Sequence, residues 1–134
     1  MRKDIEIPLV TEIAVAVVNE VNELDVAEWN VYIVNLKDKP IEGVLVSSRG
    51  YGEIANERRA TSELRHFLDV MQPNSYKKIE PILEDVFGLT NEYWVSFYLD
   101  KKLFDKKFIF LAESIKKENC ITVPILNRKG VLIK

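Results

Sequence analysis

The chain has 134 residues, 47% of them hydrophobic and 30% charged, with a net charge of −2 at pH 7. That is the balance of one globular domain spanning residues 1–134, long enough to bury roughly 68% of its unfolded surface. The weakly acidic charge excludes a global basic field for nucleic acid or an anionic membrane, and no window approaches about 18 uninterrupted apolar residues. A lone cysteine, Cys120, excludes an internal disulfide, and no apolar leader segment follows Met1, so a cytoplasmic protein is expected.

From Ile5 to Val17 every odd position is apolar except Thr11, while the even positions include Glu6, Pro8 and Glu12. This period of two predicts a strand with one buried and one wet face. Pro8 has no N–H for a ladder and marks an edge, a bulge or a change of sheet. Residues 19–28 (NEVNELDVAE) read as an acidic connector. Residues 29–36 alternate Trp29, Val31 and Ile33 against Asn30, Tyr32 and Val34, and Asp38-Lys39-Pro40 is a turn. Residues 41–48 are a second strand of matching length, so the pair is predicted to be a hairpin.

The middle of the chain is ambiguous. Leu64, Phe67, Leu68 and Met71 fit a helix capped at Thr61 or Ser62, yet Leu64, His66, Leu68 and Val70 equally fit the inward side of a strand. Residues 75–88 carry Ile79, Ile82, Leu83, Val86 and Phe87 at helical spacing, with Ser75 as cap and Gly88 as stop, which locally favours helix despite Pro81. Residues 92–99 (EYWVSFYL) are a strand, turned by Asp100-Lys101-Lys102 onto residues 103–111, with Phe104, Phe108 and Phe110 on one face. Residues 121–126, the turn 127–130 and residues 131–133 form a last hairpin. Short strands joined by hairpins, without βαβ alternation, predict a mainly β, antiparallel, immunoglobulin-like sandwich with at most one or two short helices near 61–88; an α+β fold is the alternative. Trp29 belongs in its core.

The strings WNVYIVNL (29–36), SSRGYGE (47–53), TSELRHF (61–67), IEPI (79–82), NEYWVSFYLD (91–100) and DKKFIF (105–110) together resemble a family of short uncharacterised bacterial proteins. The resemblance covers most of the chain. Some members carry a label relating them to the phenylalanyl-tRNA synthetase alpha subunit. The chain is too short for a synthetase catalytic domain and shows none of that family's ATP-gripping arginine motifs. The resemblance therefore implies a grouping, and no activity or site.

Four constellations could carry chemistry. Ser47-Ser48-Arg49-Gly50-Tyr51-Gly52-Glu53 places two glycines around a tyrosine after a strand. It reads as a bulge or wide turn, or as an exposed recognition loop; it lacks the spacing of a phosphate-binding fingerprint. Glu63, His66 and Asp69 would share one helix face as a base or metal site, but on a strand Glu63 and His66 part. Glu20, Glu23, Asp25 and Glu28 lack the glycine and spacing of a calcium loop and read as a solvated connector. Lys101, Lys102, Lys106 and Lys107 interleave with Phe104 and Phe108, as in an edge hairpin guarded by lysines or a platform for single strands. Cys120 reads as a buried small hydrophobe in an apolar strand.

No catalytic or cofactor motif stands out, so no cofactor and no metal are expected and a non-catalytic binding or assembly module is favoured. Its expected site is Arg49, Tyr51, Glu53, Arg65 and His66, with Arg58 and Arg59 at the rim. Guanidinium forks suit carboxylate or phosphate, so the expected ligand is anionic, a protein or a small molecule rather than nucleic acid or membrane. Exposed strand edges suggest self-association into a homo-oligomer. A small hydrolase using the Ser47–Glu53 region and an RNA-contacting protein are the alternatives.

Overall fold

The computed structural model describes residues 9–134, so the alternation over residues 5–8 and the break at Pro8 lie outside the described residues. Strand accounts for 62% and helix for 5%, in two antiparallel sheets. In chain order the strands are β1 (Ile13–Val21), β2 (Ala27–Asn35), β3 (Ile41–Ile54), β4 (Glu57–Ala60), β5 (Leu64–Met71), β6 (Ser75–Ile82), β7 (Thr90–Leu99), β8 (Lys102–Phe110), β9 (Ile121–Thr122) and β10 (Lys129–Ile133). Sheet 1 runs β6-β2-β1-β10-β9; sheet 2 runs β4-β3-β7-β8, with β5 also pairing β3. The neighbours β1–β2–β6 and β3–β7–β8 match the A–B–E and C–F–G neighbours of an immunoglobulin sandwich, with β5 and β4 sharing the position beside C. The expected sandwich is the observed fold.

The first expected hairpin is not. β2 pairs β1 and β6, whereas β3 pairs β4, β5 and β7, so the turn at 38–40 carries the chain from one sheet to the other. Asn35 holds that corner. It is buried, its Nδ2 donates to the carbonyls of Lys39 and Gln72, and its Oδ1 accepts from the Lys37 N–H. The true hairpin is β1–β2, because the supposed connector is mostly strand: β1 continues to Val21 and β2 starts at Ala27. Asn22 closes the turn between them, its Oδ1 accepting from the N–H groups of Leu24 and Val26.

β1 also departs from the one-wet-face expectation. Ile13, Val15 and Val17 face sheet 2, but Ala14, Ala16 and Val18 are buried too, packed with Val123 and Leu126. The segment between β9 and β10 folds over the outer side of sheet 1, so the expected strand at 121–126 shrinks to two residues. Gly130 permits this closeness: a Cβ there would stand 2.8 Å from the Val17 carbonyl oxygen and 3.1 Å from Val123 Cγ2.

The helix locally favoured over 75–88 is strand β6 followed by one 3-10 turn, Glu84–Val86; a second 3-10 turn lies outside that window at Lys117–Asn119. The register shows why the period misleads. Val31 opposes Glu80 and Tyr32 opposes Lys78, leaving Ile79 as an extra residue in a β-bulge. The bulge buries Ile79 and Ile82, three apart, and imitates helical spacing. Pro81 is tolerated because β6 ends the sheet. Residues 64–71 take the strand alternative, although Val70 is exposed and Leu64, on the inward side with His66, stays half-exposed at the edge of the space between the sheets.

Between the sheets lies a core of valine, isoleucine and aromatics from both, including Val15, Val31, Val46, Val95, Phe97 and Phe108. Each such side chain, fully buried, contributes about 1.5–3 kcal/mol. Trp29 is in it, edge-on to Phe87 at 5.4 Å between centroids. The β7–β8 turn is Asp100-Lys101, both at positive φ (51° and 64°), the I′ conformation that suits the twist of paired strands. Among the described residues no helix is long and apolar enough to cross a membrane.

Candidate functional site

The segment 47–53 is neither loop nor wide turn but the second half of β3. Period two therefore sorts its side chains. Val46, Ser48 and Gly50 are buried, whereas Arg49 is exposed and Ser47, Tyr51 and Glu53 keep partial or full exposure. Register extends the sorting across sheet 2: Ser47 opposes Arg65 on β5 and Trp94 on β7, and Trp94 opposes Lys107 on β8. Arg65, Ser47, Trp94 and Lys107 thus form one row across the outer face. His66 opposes Val46 and lies on the other face. The expected five-residue site is split: Arg49, Tyr51, Glu53 and Arg65 share the outer face, and His66 leaves them.

On the outer face, Arg49 Nε donates to Glu92 Oε2 at 3.3 Å, and its guanidinium carbon stands 5.0 Å from the centre of the Tyr51 ring. The Tyr51 hydroxyl donates to Glu92 Oε1 at 3.4 Å. Glu92 is nearly buried beneath these two groups, so Arg49 is committed to it. Arg58 opposes Glu53 and Arg59 opposes Gly52 on β4; Arg59 Nη2 reaches Glu57 at 3.3 Å, an exposed pair worth about 0–1 kcal/mol. Arg65 forms no ion pair among the described residues. It borders a depression of about 300 Å³ lined also by Leu45, Ser47, Trp94, Ser96, Leu103 and Asp105. Lys107 Nζ lies 4.8 Å from the Trp94 ring centre. The lysine-guarded edge is visible in Lys106, which opposes core-facing Val95 and stands 5.1 Å over Phe108 on the terminal strand of the sheet.

On the inner face a second constellation appears, built around Glu80. Its Oε1 accepts from Ser48 Oγ at 2.9 Å and His66 Nε2 at 2.7 Å, and its Oε2 accepts from the Tyr93 hydroxyl at 3.0 Å. Strands β3, β5 and β7 of sheet 2 are thereby tied to β6 of sheet 1. Burial first, then the Glu80 charge, pushes the Tyr93 phenol above the usual tyrosine range. Glu63 and Asp69 take no part, as a strand requires. Nearby, Lys77 Nζ donates to the carbonyls of Leu68 and Val70, capping part of β5.

The acidic stretch is likewise not simply solvated. Glu20 accepts from Asn30 Nδ2, from the Tyr32 hydroxyl at 2.7 Å and from Arg128 Nη1 at 2.8 Å. Hydrogen bonds from Asn30 and Asn22 lower the Glu28 carboxyl, and burial and Glu20 push Tyr32 up to about 12. Cys120 is not in a strand; it follows the turn Lys117–Asn119, partly exposed, its thiol raised by burial. Among the described residues no three His, Cys, Asp or Glu side chains are placed to hold a metal ion.

The residue reading missed Glu80, Tyr93 and Trp94, and placed Lys107 only in the lysine-rich hairpin, apart from Arg65. Strand parity carries Trp94 and Lys107 to the outer face once the register is known, whereas only the bulge brings Glu80 inward. Comparison with protein-family models, curated proteins and solved structures finds no match for this chain.

Proposed function

We propose that the chain is a non-catalytic binding module whose outer sheet-2 face receives an acidic segment of a partner protein. The observation that carries this reading is the unequal covering of the two sheets. Sheet 1 is covered on its outer side at Ala14, Ala16 and Val18 by the chain's own Val123 and Leu126, whereas sheet 2 leaves Trp94 44%, Leu103 52% and Phe67 66% exposed. Clustered apolar exposure of this kind marks interaction surfaces.

The charge at its centre favours an anion. In the row through Trp94 the two charges, Arg65 and Lys107, are both positive, and Ser47 and Ser96 add hydroxyls; Asp105 bounds the far side. A guanidinium fork meets a carboxylate with two hydrogen bonds, and Trp beside Arg is the composition of interface hot spots. Two cations in the row suit a short acidic protein segment better than nucleic acid, which demands several phosphate contacts. Catalysis is less well supported. Ser47 faces away from His66 and Glu80, and in the Ser48–Glu80–His66 group the carboxylate stands between hydroxyl and imidazole, whereas a serine relay needs the imidazole in the middle.

The test is an amide-proton NMR titration with a soluble peptide alternating Glu and Leu, and with its Lys and Leu counterpart. The acidic peptide should shift Ser47, Arg65, Trp94 and Lys107, weaken steeply with added salt and lose affinity in Arg65→Ala. Equal response to both peptides, or shifts confined elsewhere, would overturn the proposal.

A further inference from the structure

We infer that the opening between β3 and β6 is a second binding site, separate from the sheet-2 face, and that it receives a small organic ammonium with an apolar tail at Glu80. The cavity there measures about 270 Å³. An apolar cavity of about 150 Å³ already holds benzene, so a ring with a short chain fits. Its walls divide by chemistry. Ser48, Thr61, Ser62, Glu80, Asn91 and Tyr93 are polar, Leu64, Pro81, Ile82, Leu83 and Val86 are apolar, and Arg49, also in the wall, has its guanidinium turned to Glu92 and Tyr51.

The β6 bulge matters here because it puts two successive side chains, Ile79 and Glu80, against the space between the sheets, where Ile79 packs in the core and Glu80 meets Ser48 and Tyr93. Bulges commonly re-aim a side chain at a site. A carboxylate offers about four lone-pair positions, of which Ser48, His66 and Tyr93 occupy three. A group completing the set must donate. Ser48 and Tyr93 already spend their protons on Glu80, and the Arg49 guanidinium is engaged by Glu92, so the Glu80 end of the cavity offers acceptors and disfavours an anionic head group. The Glu80 side chain is only 12% exposed, and its ion-pair partner among the described residues is His66 at 2.7 Å, a cation only when protonated. A carboxylate so far from water is costly without a cation, and an ammonium brings both charge and donor.

The experiment is calorimetric titration at about pH 8 with three probes on one scaffold: 2-phenylethylammonium, 2-phenylethanol and 3-phenylpropionate. The ammonium should bind at least about tenfold more tightly than the alcohol, the ratio expected when a hydrogen bond becomes charge-assisted. The carboxylate should not bind. Glu80→Gln, checked for native circular dichroism, should erase the ammonium preference. If that variant fails to fold, the ranking of the three probes on the unaltered protein decides alone. Equal affinity for ammonium and alcohol, a preference that survives Glu80→Gln, or no binding by any probe would overturn the inference.

Discussion

The Tyr93 hydroxyl of β7 donates across the sandwich to Glu80 Oε2 of β6 at 3.0 Å, a bond between the two sheets rather than within either. Tyr93 is 1% exposed, so its hydroxyl has little water to turn to. Glu80→Ala leaves Tyr93, Ser48 and His66 without their common acceptor and should lower the unfolding free energy by about 3 kcal/mol in urea melts. Glu80→Gln keeps one acceptor oxygen and should cost less than Glu80→Ala. Equal losses would show that the carboxylate's charge and second oxygen, rather than acceptance as such, hold the sheets.

Tyr32 makes stability depend on alkaline pH. Its phenol is raised from 10.0 to about 12 in the folded chain, by burial and by its hydrogen bond to Glu20. The folded state therefore retains a proton that the unfolded state has lost. Stability is complete below pH 10 and is lost as pH rises through the folded value near 12, with Tyr93 adding in the same direction. Tyr32→Phe should flatten part of that decline, measured as the melting temperature from neutral pH upward.

Gly130→Ala should destabilise by about 1–3 kcal/mol, because its methyl would press on the Val17 carbonyl and on Val123 and push β10 from β1. Amide exchange should speed up in β10 and at Val123 before it changes in sheet 2.

Asn35→Ala should cost about 2–3 kcal/mol, since three backbone groups at the inter-sheet corner lose their partner at once. Asn35→Asp keeps the acceptor for Lys37 N–H and loses the two donated bonds, so it should be nearly as harmful. Urea melts of the two variants check this.

Arg65→Ala and Lys107→Ala should leave the melting curve nearly unchanged, within about 0.5 kcal/mol, because both side chains lie on the solvent face. The same substitutions should weaken the acidic peptide. A large stability loss from either would mean that these cations hold the fold instead of a partner.

The architecture was legible wherever one side chain period governed, as in β7 and β8. It was misread where a strand departs from simple alternation. In β6 the extra residue at Ile79 makes a strand look helical, and in β1 Ala14 and Ala16 are small because a later segment covers them. Residue types do not distinguish a turn within a sheet from one between sheets, so residues 29–48 looked like a hairpin although Asn35 makes them a corner. The site was half legible for the same reason. Arg49, Tyr51 and Glu53 share a face by parity along one strand, but the neighbours of Arg65 and the partner of His66 depend on register with strands distant in sequence.

The position of β10 beside β1 has a consequence for how the chain is made. On the ribosome, β1 and β2 emerge early and can close their hairpin, but the other side of β1 and the Ala14–Ala16–Val18 surface gain their cover only when residues 123–133 arrive. Until then the nascent chain displays an open strand edge beside an apolar patch, the combination most prone to wrong pairing. Completion of the sheet must therefore wait until synthesis has passed β10, and contacts this distant in sequence place the protein among slow folders.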